Sequence, residues 1–333
     1  MKAAVIKKAF SVEITDIEKP EISDDQILVK NKTTSICGSD LPYFLNERQP
    51  QYPLPPGFPG HECIGIVVES CCKEFKEGDE VLSIPNGDRG FAEYFTSSPY
   101  RTVILPNLND KLVVAQPLGT VVHACRKLFE SLLSSVNTNS LNVKSWDLTG
   151  RKVAIIGQGS IGLLFTSMMK MMMAETIIGI DLMDYRLESA TNIGATHVIN
   201  PSQSSNIEMV SKITNGHMAD LAIEAVGKDS TVNDCFPLVK RSGVVLAFGV
   251  PRKSVYDFVF PEFFNRELKL LGSLGPDVQK EFPLAVELIA DNRVDASKII
   301  SHRLTLDEIQ KAFEMVAERK DGAIKVLMSV GTN

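Results

Sequence analysis

The chain has 333 residues, 44% of them hydrophobic and 23% charged, with 35 Lys and Arg against 41 Asp and Glu, for a formal net charge of −6. That length is enough for two domains, each with its own core. The acidic balance and the absence of an extended basic stripe exclude nucleic acid as a partner, and no apolar run approaches the length of a membrane span. The first residues, "MKAAVIKKAFSVEI", read as an alternating strand rather than a secretion signal, so the expected location is cytoplasmic.

Residues 1–110 are strand-rich. The segments "KAAVIKK", "SVEITDIE", "QILVKNKTTSI", "CIGIVVES", "DEVLSIP" and "GFAEYFTSS" are separated by Pro, Gly and Asp clusters, which predicts an antiparallel barrel or sandwich. From about residue 150 the pattern changes to short, wholly apolar runs alternating with helical stretches: "KVAIIG", "TIIGID", "THVIN", "DLAIEAVG", "GVVLAFGV" and "LKLLGSL". Strands apolar on both faces and joined by helices predict a parallel sheet covered on both sides, so the fold class is α/β. Within this half "MMKMMMA" (168–174) reads as core packing. Two helical segments follow, 278–292 and 306–319. The final strand, "AIKVLMSV", has no place in the six-strand unit and is expected to return to the first domain. The six cysteines (Cys37, Cys63, Cys71, Cys72, Cys125 and Cys235) form no C-x-x-C pair, which fits neither a disulfide framework nor a four-cysteine zinc site.

"KVAIIGQGSIGLLF" sets Gly157, Gly159 and Gly162 between an apolar strand and a helix, with Ser160 and Ile161 opening that helix. Such a loop gives a tight turn, close approach of a pyrophosphate to the backbone, and close helix–strand packing. The second strand ends in Asp181, 24 residues after Gly157, where an acidic side chain accepts hydrogen bonds from a ribose 2′-OH and repels a 2′-phosphate. NAD is therefore expected over NADP, with Arg186 nearby as the residue that softens the preference.

"PPGFPGHECIGIVVES" (55–70) places His61, Glu62 and Cys63 in a row after a Gly/Pro-rich bend. A catalytic zinc uses three protein ligands and keeps one open position, so His61 and Glu62 need a third ligand, which Cys37 in "SICGSD" offers. On an ideal strand His61 and Glu62 face opposite ways, so the bend must distort the backbone. Cys63 is expected to be a packed thiol.

At these motifs the sequence resembles the zinc-dependent medium-chain dehydrogenases, particularly the branch of sorbitol, threonine and other polyol dehydrogenases. The matching segments are "CGSD" (37–40), "GHE" (60–62), "KEGDEV" (76–81), "GFAEY" (90–94), "QPLGTVVHACR" (116–126), "GQGSIG" (157–162), "GID" (179–181), "IEAVG" (223–227) and "LAFGV" (246–250). The resemblance implies a GroES-like β-barrel catalytic domain over 1–115, a Rossmann, doubly wound NAD-binding domain over 116–273, and a return to the catalytic domain over 274–333. It implies zinc ligands at Cys37, His61 and Glu62, a proton acceptor at Ser39, and an orienting carboxylate at Asp40. Thr120, Val226 and Val250 fall where the family contacts the nicotinamide side of its cofactor.

Three departures qualify the resemblance. Gln116 stands where the family has Glu or Cys that binds zinc or its water, so the expected set is Cys37, His61, Glu62 and water. Pro42 replaces a proton-relaying His. The four-cysteine structural zinc lobe is missing, which leaves one catalytic zinc per chain. The implied reaction interconverts a secondary alcohol and its ketone, with Ser39, Glu62 and Gln116 acting at the reaction centre. Leu41, Tyr43, Phe44, Phe58 and Phe91 are expected either to shape a substrate cleft or to pack in the core. The rivals are a zinc-free quinone or enone reductase of the same fold and a non-catalytic dinucleotide sensor. By the same resemblance the chain forms a homodimer or homotetramer through the edge segment "KLLGSL" (269–274), an apolar edge that invites pairing.

Overall fold

Short apolar runs become strands and longer amphipathic runs become helices in a computed structural model that describes residues 1–132 and 146–331. Among the described residues the strands are β1 (Lys2–Lys8), β2 (Ser11–Asp16), β3 (Ile27–Ser35), β4 (Cys63–Ser70), β5 (Glu80–Ser83), β6 (Tyr94–Ser97), β7 (Thr102–Ile104), β8 (Lys152–Ile156), β9 (Thr176–Ile180), β10 (His197–Ile199), β11 (Ala219–Glu224), β12 (Val239–Ala247), β13 (Lys269–Gly272), β14 (Ile300–Thr305) and β15 (Lys325–Ser329). The helices are α1 (Leu41–Phe44), α2 (Ala115–Leu132), α3 (Ser160–Met171), α4 (Asp184–Ile193), α5 (Asn206–Ile213), α6 (Asp229–Cys235), α7 (Phe260–Asn265), α8 (Val278–Ala290) and α9 (Ile309–Glu318). None of them is long and apolar enough to cross a membrane.

The chain divides into two units, 1–119 with 277–333 and 120–276. The first holds a seven-stranded sheet in the order β14-β15-β3-β4-β5-β7, with β6 also pairing with β3. Its pairings are antiparallel apart from β14 with β15. A separate β1–β2 hairpin joins this unit through a bridge from Ala3 to Ala92. The final strand, β15, lies beside β3, with Leu327 opposite Ser35. Helix α9 closes a core in which Phe313 stacks on Phe44 and meets Phe91 edge-on. Leu41, Phe44 and Phe91 are buried in this core, with Tyr43 and Phe58 packed against it. Of the two roles expected for these five side chains, packing is the one the structure displays. Burying each large apolar side chain contributes about 1.5–3 kcal/mol.

The second unit is a six-stranded sheet, β10-β9-β8-β11-β12-β13, parallel throughout. Strands β9 and β11 are buried along their whole length, β9 as an apolar run and β11 with Asp220 and Glu224 buried among its apolar residues. Strand β13 is the sheet edge and is mostly exposed. Met168 and Met169 of α3, with Met172 just after it, pack in the interior, while Met173 turns outward. The order reverses between β8 and β11, and in open parallel sheets that switch point is where ligands bind, outside the carboxyl ends of the strands.

Candidate metal centre and dinucleotide site

The metal-ligating side chains come from two turns held together by β3 and β4. After β3 the chain folds back over Cys37–Asp40, where one carboxylate oxygen of Asp40 accepts the Cys37 N–H at 2.9 Å. The second turn needs its glycines: Gly57 has φ +81°, and a Cβ there would sit 2.5 Å from the Arg89 carbonyl oxygen. Because β4 begins at Cys63, His61 and Glu62 lie ahead of the strand and escape its alternation. That is how two adjacent residues serve one site. Ser35 N–H and Thr34 Oγ1 donate to the Glu62 carbonyl, at 3.2 and 2.9 Å, and pin the turn to β3.

His61 Nδ1 lies 3.0 Å from the Pro59 carbonyl oxygen and 3.2 Å from Asp40 Oδ1. Both neighbours are acceptors, so the hydrogen is assigned to Nδ1, which leaves the Nε2 lone pair for a metal. Ser39 Oγ is 3.5 Å from that Nε2. Burial pulls the His61 pKa down, but the charge and hydrogen bond of Asp40, with Cys37 beside it, hold it well above its ordinary value. Burial raises the Asp40 carboxyl, and His61 opposes that shift. A metal ion bound at Nε2 takes the place of the proton.

Glu62 has 0% exposure. Its Oε2 accepts hydrogen bonds from Ser35 Oγ and from the ammonium of Lys325, itself 1% exposed, on β15. Lys325 also donates to the Ile36 carbonyl at 3.1 Å. The other oxygen, Oε1, is buried and has no hydrogen-bond partner among the described residues. Ligand atoms of Cys37, His61 and Glu62 all lie within 4.8 Å of one another, and this is the one such cluster among the described residues. A thiolate, an imidazole and a carboxylate with an unused oxygen fit a zinc ion by number and by chemistry. Gln116 is buried in the first turn of α2. Cys63 packs against Thr34 and the Gly90 carbonyl, and burial pushes its thiol up to about 12.

In the second unit β8 runs into the glycine loop. Gly157 has φ +92°, and a Cβ there would meet Val226 Cγ2 at 2.7 Å, while a Cβ on Gly162 would collide with the Gly157 carbonyl. Gly159 differs: its nearest neighbour is Arg186 Nη1 at 3.7 Å, so the space over it stays open. Gly159 is also the N-cap of α3, whose first turn, from Ser160 and Ile161, presents unpaired N–H groups suited to a phosphate. The Gln158 side chain is buried, donating to Ile155 O at 3.2 Å and accepting from Thr166 Oγ1 at 2.9 Å. Asp181, just after β9, accepts the N–H groups of Gln158 at 2.7 Å and Met183 at 3.0 Å, and Arg186 Nη1 lies 3.6 Å away. The open cradle at Gly159, with an acid after β9, fits a dinucleotide. Val226 and Val250 follow β11 and β12 in adjoining loops, and Thr120 lies on α2.

Sequence reasoning missed Lys325, Ser35, Gln158 and Glu224. Lys325 and Glu224 each left a signal, a charge in a largely apolar strand, as in "AIKVLMSV" and "DLAIEAVG", the latter also carrying Asp220. Neither signal names a partner.

Two family models match the chain: "Alcohol dehydrogenase GroES-like domain" over residues 23–107 and "Zinc-binding dehydrogenase" over residues 160–291. The sorbitol dehydrogenase of Bacillus subtilis (strain 168) is 27% identical over 98% of this chain and 97% of that protein. The L-threonine 3-dehydrogenase of Caldanaerobacter subterraneus subsp. tengcongensis is also 27% identical, over 97% and 98%. Among solved structures, alcohol dehydrogenase TADH from Thermus sp. ATN1 superposes with a TM-score of 0.85 at 25% identity, covering 99% of this chain and 100% of that one. The chain belongs to the zinc-dependent medium-chain dehydrogenase family. It is an oxidoreductase acting on alcohols.

Proposed function

We propose that the protein is a zinc-dependent, NAD(H)-linked dehydrogenase that interconverts a secondary alcohol (a polyol, sugar acid, diol or amino alcohol) and its ketone. The observation that carries this reading is the Cys37–His61–Glu62 cluster with its unpartnered, buried Oε1. When bound, zinc supplies a Lewis acid that makes an alcohol O–H acidic near neutral pH, and NAD supplies the hydride acceptor.

The chain's own residues do the rest. Asp40 and the Pro59 carbonyl orient His61 through Nδ1. Ser35 and Lys325 fix Glu62 so that a single oxygen is left for the metal. Ser39, beside His61 Nε2, relays the alcohol proton, accepting it as its own hydroxyl proton passes on to the cofactor ribose or to ordered water. Gln116, neutral where relatives carry an anion, holds the water or substrate at the open position. Gly157, Gly159, Ser160, Ile161 and Gly162 cradle the pyrophosphate, Asp181 and Arg186 take the adenosine ribose, and Thr120, Val226 and Val250 border the nicotinamide. The protein works in the cytoplasm as a homodimer or homotetramer, paired through β13, where Leu270 is exposed and Leu274 just beyond it is 91% exposed.

Two measurements on one preparation test the reading: zinc per chain in protein purified without chelators, and NADH formation with a panel of secondary alcohols. About one zinc per chain, with turnover that a chelator abolishes and zinc restores, is the expected result. Zinc near zero that added metal does not restore overturns it.

A further inference from the structure

Glu224 is the last residue of β11 and pairs in register with Ile156, the last residue of β8. It therefore sits at the switch point, directly beneath the crevice where a dinucleotide crosses the sheet. It is 0% exposed, and no cation pairs with it among the described residues. Its Oε1 gathers three donors: the N–H groups of Val226 and Gly227, both at 2.8 Å, and Thr231 Oγ1 at 2.7 Å. Its backbone carbonyl accepts the N–H groups of Phe248 and Gly249, both at 3.0 Å. One residue thus ties the loop after β11 to the loop after β12.

The two loops touch without side chains between them. A Cβ on Gly227 would collide with the Val250 carbonyl, and one on Gly249 would collide with Gly227. Tyr256 Oη adds a hydrogen bond to the Gly227 carbonyl at 2.6 Å. With the pyrophosphate on the glycine loop, one nucleoside half of the cofactor lies over β9, toward Asp181, and the other over β11 and β12. The loops that Glu224 ties together border that second half. A buried anion without a counter-charge costs free energy unless several hydrogen bonds compensate. Here three donors converge on Oε1 while Oε2 has no hydrogen-bond partner among the described residues, and the arrangement stiffens one lip of the crevice before any ligand arrives.

We propose that Glu224 is a positioning residue for the nicotinamide half of the dinucleotide, holding the 225–228 and 248–250 loops in their binding shape. This rests on the dinucleotide reading above. The test compares NADH with ADP-ribose, which lacks the nicotinamide ring, by titration against wild type, E224A and E224Q, with thermal melting alongside. In folded E224A, NADH affinity is expected to fall about tenfold or more while ADP-ribose changes by less than about twofold. E224Q keeps an oxygen for the two N–H groups but loses the charge, so the same split is expected in smaller form, and it carries the test if E224A does not fold. Equal losses for both probes, or no loss for either, overturn the proposal. Wild-type protein that binds neither probe overturns the dinucleotide reading and the proposal with it.

Discussion

Glu62 in the first unit and Glu224 in the second are both carboxylates removed from water, each with one oxygen hydrogen-bonded and the other unpartnered among the described residues. They are stabilised by opposite means. Glu62 is held by a full positive charge, Lys325, which the chain delivers from its last strand. Glu224 has no cation beside it among the described residues and relies on two backbone N–H groups and a hydroxyl within seven residues of itself. Their surroundings differ in the same sense. The free oxygen of Glu62 belongs to a group with a thiol and an imidazole, so a cation completes it, whereas Glu224 stiffens a loop. A buried charge marks a site, and the kind of partner it recruits shows whether the site binds or positions.

The largest effect expected from breaking this contrast is at Lys325. K325M strands Glu62 as an unpaired buried charge, and metal-free protein should lose about 3–5 kcal/mol of stability in urea denaturation. The double variant E62Q/K325M removes both charges and should recover much of that loss. A double variant as unstable as K325M would mean that the ion pair is not what the site depends on.

G159A addresses the second unit. Gly159 has φ −72° and no neighbour within 3.7 Å of an added Cβ, so the variant should melt like wild type. A methyl group in the open cradle should still weaken NADH binding by about tenfold or more, measured by fluorescence titration. G162A has no such room and should lose fold and binding together.

T231V takes one of three donors from Glu224, and about 1 kcal/mol of stability should go with it. Set against K325M in the same urea series, it measures how far local hydrogen bonds differ from a single distant charge.

The smallest effect is expected at Asp220, the second residue of β11, near the end opposite Glu224. Burial raises its pKa, but Lys240, the Lys152 N–H and Arg151 overcome this and hold it below the ordinary value. A depressed folded-state pKa gives stability that is complete above the unfolded value, about 4, and is lost as pH falls through the lower folded one. D220N should flatten the stability–pH curve in that window and cost under about 1 kcal/mol at neutral pH, because its cationic partners are partly exposed. A wild-type curve already flat below pH 4 would remove Asp220 from the account.

The glycine loop was readable from the sequence because its causes are local. A strand, three glycines and a helix lie within twenty residues: Gly157 takes φ +92°, Gly159 leaves its cradle open, and Gly162 makes room for the Gly157 carbonyl. The same holds for Asp181, whose spacing from Gly157 follows from one β–α–β crossover. The alternation of apolar runs gave the parallel sheet, while the choice of β13 as its edge came with the strand order. Cys37, His61 and Glu62 stood out as residue types, yet strand periodicity set the last two on opposite faces. The bend at Gly57–Gly60, which delays β4 until Cys63, brings them to one site. Five aromatic and aliphatic side chains were equally readable as cleft or core, because composition carries no depth. Lys325 lies 263 residues from Glu62 in sequence. The sequence by itself determined the donor types and the local turns that present them. Only the tertiary structure decided which charges meet in the dry interior, since pairing at that range depends on where the last strand enters a sheet begun three hundred residues earlier.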